Sequence, residues 1–173
     1  MTDPKEARER ALTLAAICGL KIALGPAFLS SSRRWPSSGN WVTAALGEMA
    51  LDKIGVFPPR WRPSLLIPHT LAGAWTAQES LKADGVDDPS TVAVGAGVAA
   101  GVAIVAPLIR IAANRGLGIP DMVLGLAEDA LAVYLGSKVV GLSMGEVGQF
   151  ARESVEEVRD KIQPALEKVG VGT

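Results

Sequence analysis

Six residues in this chain could do chemistry: Lys21, Glu48, Arg60, His69, Glu128 and Asp129. Glu48 and Glu128 each stand at the centre of an otherwise apolar segment. A carboxylate in such a place is costly unless it is paired, hydrated or protonated, so both are candidates for a proton or cation site. Lys21 interrupts the apolar run over residues 11–29 and is a possible partner for them. Asp129 follows Glu128 directly and so points about 100° away around a helix, towards Lys138 or Arg110 or another surface. Arg60 and His69 flank a weakly apolar stretch, where they could bind an anionic head group or pair with the acids. A lone histidine is more often a hydrogen-bonding interior residue than a ligand. The chain has no nucleophile elbow, phosphate loop, paired metal-ligand motif or haem attachment motif, so no cofactor is expected and no reaction is indicated.

The elements that must position these residues read as helices. The chain has 173 residues, of which 49% are hydrophobic, 20% charged and only 5% aromatic, and its mean hydropathy is +0.29. Nineteen glycines and many alanines suit close packing of helix backbones. Net charge is −1 and no basic stripe is interleaved with aromatics, which argues against nucleic acid as a partner. The single cysteine, Cys18, excludes an internal disulfide and reads as a small core residue.

Five apolar segments are expected, over about 11–32, 40–54, 64–83, 90–113 and 120–142. The fourth holds an uncharged run, residues 92–109, that reaches the ~18-residue threshold for a bilayer span. The fold class is therefore an all-α integral membrane protein. A charged segment, residues 1–10, precedes a membrane domain over 11–142, and an amphipathic tail follows over 143–173. In segment one Ala15, Gly19, Ala23 and Ala27 recur every four residues, and Ala93, Gly97 and Gly101 do so in segment four. Both patterns predict small-residue helix faces. Pro26 is expected to kink or end its helix. Trp35 and Trp41 fit an interfacial aromatic belt. The stretch 84–89 reads as an acidic, solvent-exposed turn, and 55–63 as a proline-rich connector. In the tail, Ser143 and Glu146 form a capping-box pattern. Ala151, Val155, Val158, Ile162, Ala165 and Val169 make a narrow apolar seam.

Segments one and two (about 11–55) resemble segments four and five (about 91–141) in the order of helix, proline, arginine, turn and central acid. The pattern predicts a duplicated helical hairpin, with Glu48 and Glu128 as counterparts. If segment three crosses the bilayer, the two halves are inverted in topology, as in transporters and channels. Five spans place Arg33, Arg34 and Lys82 opposite the other basic residues, which favours the N-terminus inside, and four spans give an acceptable positive-inside pattern as well, so charge does not choose between the two.

Glu48-x-x-x-Asp52-Lys53-Ile54, Pro58-Pro59-Arg60, Ala72-Gly73-Ala74 and Leu126-Ala127-Glu128-Asp129 together resemble a domain-of-unknown-function family of small prokaryotic integral membrane proteins. The likeness covers about residues 11–140, with His69 where a basic residue is expected. It implies a multi-helix protein of the bacterial inner (cytoplasmic) membrane and supplies no activity. The partners expected are the lipid bilayer and either a second copy or another membrane subunit. Three functions remain open: a small transporter or channel that uses the intramembrane acids, a structural, accessory subunit of a larger membrane complex, and, third, a membrane enzyme whose acids and arginines handle a lipid head group, for which no motif indicates a reaction.

Overall fold

In the computed structural model the described residues are 2–53, 60 and 62–169, with side chains to residue 160 and at 163. They form seven helices and no strand: α1 (Pro4–Leu20), α2 (Leu24–Ser32), α3 (Ser38–Lys53), α4 (Pro63–Ala83), α5 (Pro89–Leu117), α6 (Asp121–Val140) and α7 (Met144–Val169). The proline-rich connector falls mostly outside the described residues.

Segment one is not a single helix. The chain leaves α1 at Lys21, whose backbone is extended (φ −145°, ψ 120°), and α2 turns back along α1. The sequence reason lies five residues on. In a continuous helix Pro26 would break the ladder and clash with the preceding turn. Starting α2 at Leu24 puts Pro26 in the first turn, where its missing N–H is not needed. Gly25 then lets the two helices touch: a side chain there would run into the Cys18 sulfur and lie 2.8 Å from the Leu14 carbonyl. At the open end of this hairpin, Arg10 from α1 and Arg33 beyond α2 both bind Asp84. Lys21 sits at the closed tip and is 1% exposed.

The hairpin packs into a bundle through small residues. A Cβ added to Gly19 would lie 2.5 Å from the Ala99 carbonyl, and one on Gly95 would lie 2.9 Å from the Ala77 Cβ. Gly73 fits against Ala99 in the same layer. The small face expected on α1 at Ala15 and Gly19 is buried. On α5 the face is displaced by two residues: Gly95, Ala99 and Ala103 are buried, whereas Gly97 and Gly101 meet open space. Two small-residue rows run along this helix, and only the positions of α1 and α4 select between them. Trp41 and Trp75 pack together at 5.5 Å between α3 and α4.

Arg8 Nε lies 2.7 Å from Asp88 Oδ2, which caps α5. Hence α1 and α5 start at the same end and run parallel. The two proposed halves are therefore built differently. The first contains a hairpin broken at Lys21, and the second a continuous α5 with Pro107 inside it. Arg33 also shares the N-terminal end with Arg10, so the five-span placement of the basic residues is corrected: segment one returns to the end from which it started. The turn at 84–89 is not wholly exposed either, because the Asp84 side chain is 1% exposed between its two arginines.

Five membrane-spanning helices are not what the structure supports. Among the described residues only α5 is long and apolar enough to cross a membrane, and 17% of its most apolar window is buried. The other helices are too short or too polar. The outer surface beside α5 is nonetheless apolar, with Ile67 and Leu71 on α4 and Met122, Leu126 and Leu131 on α6 all exposed.

The capping box forms as expected at the start of α7. The Ser143 backbone N–H donates to Glu146 Oε2 at 2.8 Å, and the Glu146 N–H donates back to Ser143 Oγ at 3.2 Å. The Ser143 hydroxyl, which donates to Glu146 Oε2 at 2.7 Å, and the Ser143 backbone N–H hold the Glu146 carboxyl below its ordinary pKa. The helix docks by the predicted seam only in part: Ala151, with Phe150, lines an apolar cleft with Phe28, Val42 and Val133, whereas Val155 is 58% exposed and Ser154 is buried. The side chains of Ile162, Ala165 and Val169 lie outside the described residues.

Candidate functional site: a charge cluster at the hairpin tip

Three helices, α3, α5 and α6, and Arg60, three residues before α4, bring charges to Lys21 at the tip of the α1–α2 hairpin. Lys21 Nζ donates to Asp52 Oδ2 at 2.7 Å and lies 3.3 Å from Asp129 Oδ1. Lys53 Nζ lies 2.6 Å from Asp129 Oδ2 and 3.6 Å from Asp52. Arg60 Nη2 lies 2.8 Å from Glu128 Oε1 and 3.6 Å from Asp52 Oδ1. Arg110 Nη1 lies 3.4 Å from Asp52 and 4.0 Å from Glu128. Its other donors hold Asp121, a largely exposed residue at the start of α6. Asp52 is thus the hub, within 4 Å of all four cations.

Local structure explains why these side chains converge. Glu48 and Asp52 are four residues apart on α3 and share a face. Gly125 on α6 leaves room for two cations, because a Cβ there would lie 3.1 Å from both Arg110 Nη2 and Lys53 Nζ. Charges buried in this way are stable only when paired and hydrogen-bonded. Here the pairing is close but the alignment is incomplete. Lys53 Nζ, both Arg60 Nη atoms, Glu128 Oε1 and Asp129 Oδ1 are buried without a well-aligned hydrogen bond.

Glu48 does different work. Its two carboxylate oxygens accept from the backbone N–H groups of Ile22 and Ala23, at 2.9 and 3.0 Å. Those groups open α2, which has no side-chain cap of its own. A carboxylate at a helix N-terminus is favoured by the free donors and by the helix dipole. Glu48 therefore fastens the hairpin tip from outside while Asp52 and Asp129 hold its lysine.

Of the six residues singled out by sequence, Lys21, Arg60, Glu128 and Asp129 meet in one cluster. Asp129 faces Lys21 and Lys53, not Lys138, which lies over the Tyr134 ring. Glu48 and Glu128 do not form a symmetric pair, because Glu48 serves backbone groups and Glu128 serves Arg60. His69 is an interior residue whose Nδ1 lies 2.5 Å from the Cys18 carbonyl. Asp52 and Lys53, which the sequence marks only as part of a motif at the end of segment two, and Arg110, which it marks only as a possible neighbour of Asp129, complete the cluster. The i,i+4 spacing of Glu48 and Asp52 was the available signal for the hub. Among the described residues no group of His, Cys, Asp and Glu is arranged to hold a metal ion.

No family model matches this chain, and neither a curated protein nor a solved structure shows significant similarity to it.

Proposed function

We propose that this is a small membrane-embedded transport protein, with the charge cluster at the hairpin tip as its solute pathway. In this reading α5 crosses the bilayer, α4 and α6 flank it with their apolar outer faces, and the α1–α2 hairpin enters and returns on one side. The observation that carries the reading is Lys21. This lysine is sealed at the tip of a broken helix and held by acids from two other helices, while the most apolar helix is left mostly uncovered. A globular protein in water would bury such a helix; a bilayer solvates it. Helices broken in the protein interior, with free backbone groups and charges at the break, are how transporters build solute sites. The resemblance to small prokaryotic membrane proteins points to the cytoplasmic membrane.

The hydropathy of α3 and α6 is consistent with this arrangement. Their charges, Glu48, Asp52, Lys53, Glu128 and Asp129, turn inward to the cluster, so an average over the helix understates how apolar its outer face is. The test is a current measurement on proteoliposomes challenged in turn with protons, sodium, potassium, chloride and phosphate. Wild type is expected to pass current with at least one of these ions. Lys21→Met and Asp52→Asn are expected to abolish it while keeping the helix content. Silence of wild type with every ion would defeat the transport reading.

A second reading, an accessory subunit, has one observation in its favour. Val155 and the outer face of α7 are exposed beside the apolar cleft. Gentle native purification checks it: co-purification of a partner in fixed ratio, lost when residues 144–173 are deleted, would favour the subunit role.

A further inference from the structure

We propose that the four cations around Asp52 form a binding site for a small oxyanion of the phosphate type, and that Asp52 itself occupies this site in the resting protein. The inference names the solute class and rests on the transport reading. Its first support is the crowding of cations on one carboxylate. Lys21, Lys53, Arg60 and Arg110 all lie within 4 Å of Asp52. Glu128 and Asp129 complete the cluster, Glu48 is engaged with the α2 N-terminus, and Asp121 holds Arg110 from the exposed side. An entering anion therefore has to take the place of a carboxylate already there, and Asp52 is the one that all four cations reach.

The second support is Arg60. It is 8% exposed, and neither of its terminal nitrogens makes an aligned hydrogen bond. A guanidinium offers a planar fork of donors that matches an oxyanion, so a fork that meets Glu128 without an aligned hydrogen bond, beside two lysines and a second arginine, has the chemistry of a phosphate or sulfate pocket. Asp52, ringed by all four cations at 2.7–3.6 Å, is placed as a phosphate group would be. The cluster is not closed to solvent. Lys53, Asp52 and Arg110 retain 18%, 16% and 14% of their side-chain exposure. An entering anion would displace the Asp52 carboxylate from part of this ring. That exchange would loosen the grip on Lys21 and hence on the hairpin tip.

Full-length protein in detergent micelles, titrated with inorganic phosphate at constant ionic strength against chloride, tests the proposal. Wild type is expected to bind phosphate. Asp52→Asn is expected to bind it at least about tenfold more tightly, because a competing charge within 4 Å has been removed. It should also unfold at a lower temperature in chloride and regain stability in phosphate. Arg60→Lys keeps the charge but loses the fork, and is expected to weaken phosphate binding about tenfold. This variant tests the proposal even if Asp52→Asn does not fold. Vesicles containing phosphatidylglycerol form a parallel arm: binding there but not to free phosphate upholds the oxyanion site and assigns it to a lipid head group. No binding of either by wild type or by Asp52→Asn overturns it. Equal binding by wild type and Arg60→Lys overturns it as well. The two proposals fail separately. Phosphate binding without current removes transport and leaves the site, whereas a cation current without phosphate binding does the reverse.

Discussion

The hairpin of α1 and α2 is held by charge at both ends, and the two ends are built differently. At its mouth one acid, Asp84, is buried between Arg10 and Arg33, and each arginine reaches solvent with a quarter to a third of its side chain. Arg8 and Asp88 add a second pair nearby. At its tip four cations and three acids share partners, and several of their atoms lack an aligned hydrogen bond. The mouth is a fastening between helix ends, where water screens whatever the partners leave unmet. The tip is buried, so each unmet group keeps its desolvation cost. A fold that only needed a fastener could use the mouth's design twice. The tip therefore carries a cost that the mouth avoids.

Breaking the tip should be the costlier change. Lys21→Met leaves Asp52 and Asp129 without their sealed partner and should lower stability by about 3–5 kcal/mol in denaturant unfolding from micelles. Adding Asp52→Asn should restore part of that loss, since removing both charges of a buried pair costs less than removing one. At the mouth, Asp84→Asn should cost about 2 kcal/mol, because both freed arginines can reach water. If the mouth proves the more sensitive end, the contrast drawn here is reversed.

The packing layer between the two ends sharpens the comparison. Gly95→Val should cost about 2 kcal/mol by forcing α5 away from Ala77 and Ala15. Gly97→Val, two residues on and facing open space, should stay within about 0.5 kcal/mol. Thermal unfolding of the two variants side by side reads the difference.

The smallest effect lies at α7. The folded pKa of Glu146 is depressed by its bonds with Ser143. Its contribution is therefore complete above the ordinary glutamate pKa and is lost as pH falls through the lowered value. Amide exchange of the first turn of α7 should quicken over that acidic range in wild type, and show no such pH step in Glu146→Gln. Asp88, held low by Ser90 and Thr91, should protect the start of α5 in the same way.

Much of this was legible in the sequence wherever a local rule decides. The capping box at Ser143 and Glu146, the small face at Ala15 and Gly19, and the interior placement of Lys21 all follow from residue type and spacing. What escaped depended on a choice between equivalent local solutions. Two rows of small residues run along α5, and only the positions of α1 and α4 decide that Gly95, not Gly97, is buried. Pro26 announced a disruption, but its location at Lys21 and the reversal of the chain depend on Gly25 letting α2 lie against Cys18. Once the chain reverses, every later inference from span counting moves with it, including the sides assigned to Arg33 and Arg34. Asp52 was passed over because a charge at a helix end usually faces water. Here the helix ends inside the bundle, beside Lys21.

Single-cysteine labelling in sealed proteoliposomes, with Cys18→Ala as background, reads the arrangement of the hairpin and α5 directly. Cysteines replace Lys5 at the start of α1, Asn40 at the start of α3, and Arg115 at the end of α5, all exposed positions. A hairpin that enters and returns, beside an α5 that crosses, requires Lys5→Cys and Asn40→Cys to react from the same face and Arg115→Cys from the other. Reaction of Asn40→Cys with Arg115→Cys, opposite Lys5→Cys, would contradict the hairpin. Equal reaction of all three from outside would contradict the membrane.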